Sequence, residues 1–436
     1  MTGINLPQLT DYDSVKSAEG ALDPLGIYAI ADNLAIRLVP GIRERMSHPR
    51  FLTAMAAGSI ITRDFDEELT AADGQSEPYM VYEWHAVEGL VRNRDNDGLA
   101  GLPGILKTRE CIKQGVKLSA ARYLKTASVF GFHGVYRLLA NNLDIVRDGL
   151  LGDNGYELLS IWEKEQTLSG FLNGMQGAGA DWRRQIQSAV KDGLQKGHVT
   201  RSQAWLGWNF FGDHLFPNRI PPEEQTFLAR ILSSGTEMSR NEVFQFLISD
   251  KGQRVIQESR SEKTFHQAFF PKASKETQDL LEAIESYENF SRLLQDAFDD
   301  CLVAMTTKHD RIYPTELSEL ESCDAARKHI PEIFETVADR IEPYGQLDRF
   351  LVNFQCFDTK CNAQEWVNLL LAHHIKIQGN KPPNGKNPWF EQFDDGAVVI
   401  RAGYRKNEGG RHDDSYVHMY RTNALWSFAR DLGMIG

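Results

Sequence analysis

Eight bases crowd one short stretch of an acidic chain. Between Gly104 and Arg147 stand Lys107, Arg109, Lys113, Lys117, Arg122, Lys125, Arg137 and Arg147, opposed only by Glu110 and Asp144, in a sequence of 436 residues with a formal net charge of -12. Cations concentrated in this way point to a polyanion, and nucleic acid is the commonest one. Within the stretch, Tyr136, Arg137, Asn141 and Asn142 are residue types that reach phosphates and base edges from a helix in a major groove.

A second basic group lies near the C-terminus. HHIKIQGNKPPNGKNPWF combines Lys376, Lys381 and Lys386 with Trp389 and Phe390, and the following segment adds Arg401, Arg405 and Lys406. Lysines take phosphate while aromatic faces stack on bases, so this loop is a second candidate contact. The competing reading is a stiff surface loop docked by Trp389 into its own domain. Gly385-Lys386 lacks the frame of a phosphate loop, and the proline pair removes amide donors such a loop needs.

Two groups have metal-ligand chemistry. Cys356, Cys361, His373 and His374 are zinc-ligand types at a spacing that fits no common structural zinc pattern. His412, Asp413, Asp414 and His418 could gather at a divalent metal in a nuclease-like site, or form a polar turn before a strand-like YVHMY. Nucleophile-elbow, HExxH, dinucleotide-binding and EF-hand patterns are all missing from the sequence. His214 and the Lys308-His309-Asp310 run read as isolated structural polar residues. The sequence therefore predicts neither an enzyme nor a cofactor. The cluster Trp205, Trp208, Phe210, Phe211 and Phe216 reads as core or as a subunit contact, with core the preferred assignment.

The elements that must position these residues follow from periodicity and punctuation. Ser119 is placed to cap a helix over SAARYLKTASVF, and Phe132-His133-Gly134 leads into a helix with Val135, Leu138, Leu139 and Leu143 on its apolar face. DIV then reads as a strand, Gly152 to Gly155 as its turn, and LLSIWEKEQ as a closing helix. Upstream, Asp23-Pro24 signals a helix start ahead of Ile27, Ile30, Leu34 and Ile36. The segments 64–78 and 92–104 read as connectors around a helix near Tyr82 to Val91. Four glycines between Gly170 and Gly179 read as a flexible junction. Residues 181–358 are helical in pattern, with Pro221-Pro222 opening one helix and Ser239 capping another. A helix over AQEWVNLLLAHHIKIQ, a hairpin closed by Asp395-Gly396, and a helix after Thr422 ending at Gly433 complete the chain.

The order helix, helix, strand, glycine turn, strand, helix in residues 104–165 resembles the MarR-like winged-helix families. On that resemblance the reading helix is His133 to Asn142, and duplex DNA is the expected partner; docking of a protein through the same module is the alternative. The whole chain is similar to uncharacterised proteins of bacterial phage-defence operons, chiefly through GFHGVYRLLANNL and KPPNGKNPWFE.

The expected fold is mainly α and multidomain: an N-terminal helical region (1–100), a winged-helix-like module (101–169), a helical domain (181–358) and a C-terminal α+β module (362–436). That is a reasonable division for a chain of this length. Hydrophobic residues at 42% and charged residues at 25% fit a folded, water-soluble chain. No apolar run spans a membrane and the N-terminus lacks a signal peptide, which predicts the cytoplasm. Five irregularly spaced cysteines predict free thiols. The nucleic-acid contacts expected are Lys117, Arg122, Lys125, His133, Tyr136, Arg137, Asn141, Asn142, Lys381, Lys386, Arg401 and Arg405. The function expected is a non-catalytic DNA-binding and scaffolding subunit of a multiprotein bacterial complex, with anti-phage defence as its setting; the alternatives are a protein-only assembly subunit that docks an ATPase or nuclease partner, and a metal-dependent nuclease.

Overall fold

Asp23 starts the described chain by serving a helix that begins later than its proline suggests. Its carboxylate accepts the amides of Gly26 (2.8 Å), Ile27 (3.1 Å) and Tyr28 (3.2 Å), so the turn leading into the helix and the helix's first amide are satisfied by a residue ahead of it. In a computed structural model, residues 23–63, 65, 71–93, 98–233, 237–259, 261–308 and 311–435 are described. Much of the connector 64–78, part of 92–104, and His309 and Asp310 lie outside them.

The chain is mainly α. Its elements begin with α1 (Tyr28–Leu38), α2 (Phe51–Thr62), α3 (Pro78–Arg92), α4 (Ile105–Gln114), α5 (Ala127–Phe130) and α6 (Phe132–Asn142). A hairpin of β1 (Val146–Arg147) and β2 (Leu150–Leu151) leads to α7 (Asp153–Glu165), α8 (Ala178–Lys196), α9 (Gly207–His214), α10 (Pro222–Ser233), α11 (Met238–Ile248), α12 (Asp250–Ser259) and α13 (Glu262–Phe269). There follow α14 (Lys275–Lys308), α15 (Pro314–Leu317), α16 (Glu321–Ile341), α17 (Leu347–Phe354), α18 (Ala363–Gly379), a second hairpin of β3 (Phe390–Gln392) and β4 (Val398–Ile400), and α19 (Thr422–Asp431). Among the described residues no helix is long and apolar enough to cross a membrane. All five cysteines are free thiols.

Two compact units divide these elements: residues 34–281 with 419–435, and residues 23–33 with 282–418. The glycine stretch 170–179 lies inside the larger unit. It is no bare linker: Phe171 is fully buried with its ring 4.9 Å from Trp162, and the Glu163 carboxylate accepts the amides of Gly170 and Leu172.

The larger unit is built around α2 and α3. Every residue of α2 from Phe51 to Ile61 is buried, as is every residue of α3 from Val81 to Leu90. A helix buried on all sides is a central helix, and α6, α7, α8, α9 and the first hairpin surround this pair. Where α2 begins, Arg50 forms a wholly buried ion pair with Glu224 of α10 (3.1 Å), and Thr53 donates to the same carboxylate (2.6 Å). Ser239 is no cap: it lies within α11, its hydroxyl on the Arg37 carbonyl, and Ser249 separates α11 from α12.

In the smaller unit, Phe290 of α14 meets Phe350 (5.0 Å) and Phe354 (5.1 Å) of α17, and α18 starts at a capping box made by Asn362 and Glu365. The antiparallel β3–β4 pair places Phe390 opposite Ile400, with Gly396 at φ 81° in the expected turn. YVHMY does not form a strand, because the amides of Val417 and His418 are held by the Glu288 carboxylate instead of a neighbouring strand.

Candidate nucleic-acid interface

The helix expected from Ser119 is absent. Leu118 and Ser119 are drawn into an edge contact, with a bridge from Ser119 to His198 and the Val199 amide on the Leu118 carbonyl (2.9 Å), and only Ala127–Phe130 becomes helical before α6. The hairpin turns at Asp148-Gly149, not at Gly152 to Gly155. Asp148 (φ 50°) and Gly149 (φ 80°) both take the left-handed conformation that a two-residue primed turn requires. Gly152 instead precedes α7, whose Asp153 amide is taken by the Asp144 carboxylate (2.9 Å). The hairpin tip is tied to α2 by the Ser59 hydroxyl, which donates to the Gly149 carbonyl at 2.6 Å.

Helix α6 is rotated from its expected orientation. Phe132, Val135, Tyr136, Leu139 and Leu143 form its buried stripe, while Leu138, expected inside, is 40% exposed. At 100° per residue, Tyr136 falls within that stripe and Leu138 well outside it. Tyr136 is therefore not a base-reading residue. Its hydroxyl oxygen accepts the amides of Ser47 (2.9 Å) and His48 (3.0 Å), a structural role for which an aromatic ring with one polar tip is suited.

The N-terminal end of α6 is also committed. Glu83, buried in α3, accepts the amides of Phe132 (3.2 Å) and His133 (3.0 Å) and the hydroxyl of Tyr123 (2.8 Å). A Cβ at Gly131 would stand 2.0 Å from the Glu83 carboxylate, so only glycine permits this approach. Burial pushes the Glu83 carboxyl up to about 7, with the three donors pulling in the opposite direction. His133 stacks on Tyr79 with ring centroids 4.1 Å apart, and burial lowers its pKa to about 4, so it is neutral at pH 7. What α6 presents outward is Arg137, Leu138 and Asn142, with Asn141 half-buried. Arg137 and Asn141 line a cavity of about 630 Å³ closed by α2, the start of α3 and the hairpin.

The basic stretch is divided between surfaces. Arg109 and Lys113 line a different hollow of about 670 Å³. Lys117 is half-buried and donates to the Arg201 carbonyl. Lys107 pairs with Glu110 (3.4 Å) and Arg147 with Asp144 (2.9 Å). Lys113, Arg122, Lys125 and Arg137 are exposed and make no ion pair among the described residues.

The C-terminal cations belong to the smaller unit and are mostly occupied there. Lys381 donates to the Asp23 carbonyl (2.7 Å), Arg401 lies 3.7 Å from Glu391, and Lys406 pairs with Asp299 (2.6 Å). Trp389 is docked within its own unit, stacked on Tyr404 at 4.9 Å with its amide on His374 Nε2. Arg405 is exposed and Lys386 half-buried.

The metal-ligand types are not gathered. His373 and His374 bond the carbonyls of Leu25 (2.8 Å) and Pro24 (2.9 Å), His412 pairs with Asp300 (3.0 Å), and His418 with Glu288 (2.7 Å). Among the described residues no group of three or more such side chains could hold a metal ion. His214 is structural, bonded to Gln166 (3.0 Å).

Two residues escaped sequence reasoning. Glu83 carries no local signal, since its partners lie about 40 and 50 residues downstream. Trp205 was grouped with the core; Trp208, Phe210, Phe211 and Phe216 are buried, but Trp205 is half-exposed beside Arg109 and Lys113. Compared with family models, with curated proteins and with solved structures, the chain matches none.

Proposed function

We propose that the chain is a non-catalytic nucleic-acid-binding subunit that scaffolds a multiprotein bacterial complex, with residues 104–165 serving as a winged-helix-like contact to duplex DNA. The observation that carries this reading is the set of four exposed cations without a carboxylate partner, Lys113, Arg122, Lys125 and Arg137, in a chain of net charge -12. Most other cations of that stretch are internally engaged. Free cations of this kind release counterions when they meet phosphate, so binding must weaken steeply with salt. The biological setting proposed, on the likeness of GFHGVYRLLANNL and KPPNGKNPWFE, is defence against phage.

The test is fluorescence anisotropy on a labelled duplex. Lys125→Ala combined with Arg137→Ala should weaken binding and flatten the dependence of log K on log salt by about 1.8, at about 0.9 for each phosphate no longer neutralised. Undiminished binding by the double variant removes those bases from the interface.

A second reading is favoured by the state of α6. Its first amides are held by Glu83 and Tyr136 is buried, whereas a major-groove helix reads bases from its N-terminal residues. In that reading the module docks an ATPase or nuclease partner. Co-purification with such a protein, together with no DNA retention at low salt, selects it.

A further inference from the structure

The hollow beside α4 combines positive charge with a fixed aromatic ring. Its walls are the end of α3, one face of α4, and residues 203–209, all within the larger unit. Arg109, Ile112 and Lys113 share that face of α4 because they stand at i, i+3 and i+4. Arg92 enters from α3, held by Glu88 (2.7 Å) with its guanidinium 5.3 Å from the Trp208 ring centre. No carboxylate among the described residues lines the hollow.

Trp205 is held in place by its surroundings. It meets the buried Trp208 edge-on at 4.9 Å, Arg201 stands 5.6 Å from its ring centre, and the ring crosses so near Gly207 that a Cβ there would lie 2.1 Å away. Trp208 is itself fixed by its indole N–H on the Ser202 carbonyl (2.9 Å) and by His85 stacked beneath it at 5.9 Å. The Trp205 indole N–H makes no hydrogen bond among the described residues. A half-exposed indole with an unused donor, set among three cations, is built for a planar group that carries negative charge nearby.

We infer that this hollow receives an unpaired nucleotide of a single strand, its base on Trp205 and its phosphates on Arg109 and Lys113. A volume of about 670 Å³ accommodates a nucleotide and is far too small for a duplex. Bases inside a duplex are stacked on one another and present no face to an indole, whereas unpaired bases do. Asn93, Gln203 and Asn209 line the same space and supply amide groups for a base edge. The inference rests on the reading that the chain binds nucleic acid. It adds where an unpaired strand is held and what holds it.

The experiment uses the full chain with fluorescein-labelled oligo(dT), oligo(U), thymidine monophosphate as competitor, and a blunt duplex. Trp205→Ala is expected to weaken single-strand binding by about 5- to 150-fold, the range for losing one base stack, and to leave duplex binding unchanged. Lys113→Ala, a surface change on an exposed side chain, is expected to flatten the single-strand salt slope by about 0.7. The dT and U arms decide between DNA and RNA as the source of the strand, and efficient competition by the mononucleotide assigns the hollow to a free nucleotide, which overturns the strand. Single-strand affinity and salt slope equal to wild type in Lys113→Ala, with Trp205→Ala either equal to wild type or unfolded, overturn the inference. Duplex binding with no single-strand binding overturns it while leaving the proposed function in place; absence of binding to any nucleic acid removes both.

Discussion

Replacing Glu83 by glutamine should change the pH dependence of stability in one direction only. The side chain is 2% exposed and its carboxyl titrates at about 7 in the folded chain, against 4.5 in an exposed reference state. Between those values the folded chain keeps a proton that the unfolded chain has released, so stability falls as pH rises through the window. Each unit is worth about 1.4 kcal/mol, giving a loss of about 3 kcal/mol that is complete above pH 7. Glutamine has the same shape and no proton to lose; its single carbonyl oxygen can take the place of Oε1, which accepts from Phe132 and Tyr123, or of Oε2, which accepts from His133, and the donor left over is a cost that does not change with pH. Urea unfolding of both proteins at about pH 5 and about pH 8 isolates the effect, because all other titrating groups are common to the two chains and cancel in the difference. The stability of Glu83→Gln relative to wild type is expected to improve by about 2–3 kcal/mol on going from the lower pH to the higher, since at about pH 5 the unfolded carboxyl has already released most of its proton. A relative stability constant to within about 0.5 kcal/mol would show that Glu83 stays ionised in the folded chain, and that an anion holds the start of α6.

Two further outcomes follow from the same core. Tyr136→Phe removes the acceptor for the buried amide of His48 and the part-buried amide of Ser47; it should lower unfolding free energy by about 1–3 kcal/mol, read from urea midpoints, with nucleic-acid affinity unchanged. Glu224→Ala leaves Arg50 charged and buried without its carboxylate, and the same titration should record a loss of about 3–5 kcal/mol.

Elements with strong local periodicity or turn chemistry were legible in the sequence. Pro222–Ser233, the long Lys275–Lys308 helix, the hairpin closed at Asp395-Gly396 and the terminal helix ending before Gly433 all lie where spacing and punctuation place them. Residues whose state is fixed by distant partners were not. Tyr136 reads as polar until the Ser47 and His48 amides are found on its hydroxyl, and that contact spans almost 90 residues. Ser119 has the chemistry of a cap, but its strand-like contact with His198 competes with the helix it would open. The division of the basic stretch was invisible for a related reason: linear clustering reports proximity along the chain, whereas Lys113 and Arg137 line different hollows. Trp205 follows the polar run Arg201-Ser202-Gln203, but Asn209 and Asp213 flank Phe210 and Phe211 just as closely, so nothing local separates it from its buried neighbours.

The central claim is that Lys113, Arg122, Lys125 and Arg137 stand exposed in order to meet phosphate. Affinity of the full chain for a labelled duplex, measured from about 50 to about 200 mM salt, tests it most directly. The claim requires log K to fall linearly against log salt with a slope between about -2 and about -3, according to whether two or three of Arg122, Lys125 and Arg137 engage the duplex, Lys113 facing the separate hollow beside α4. Affinity indifferent to salt, or no binding at the lowest concentration, contradicts it.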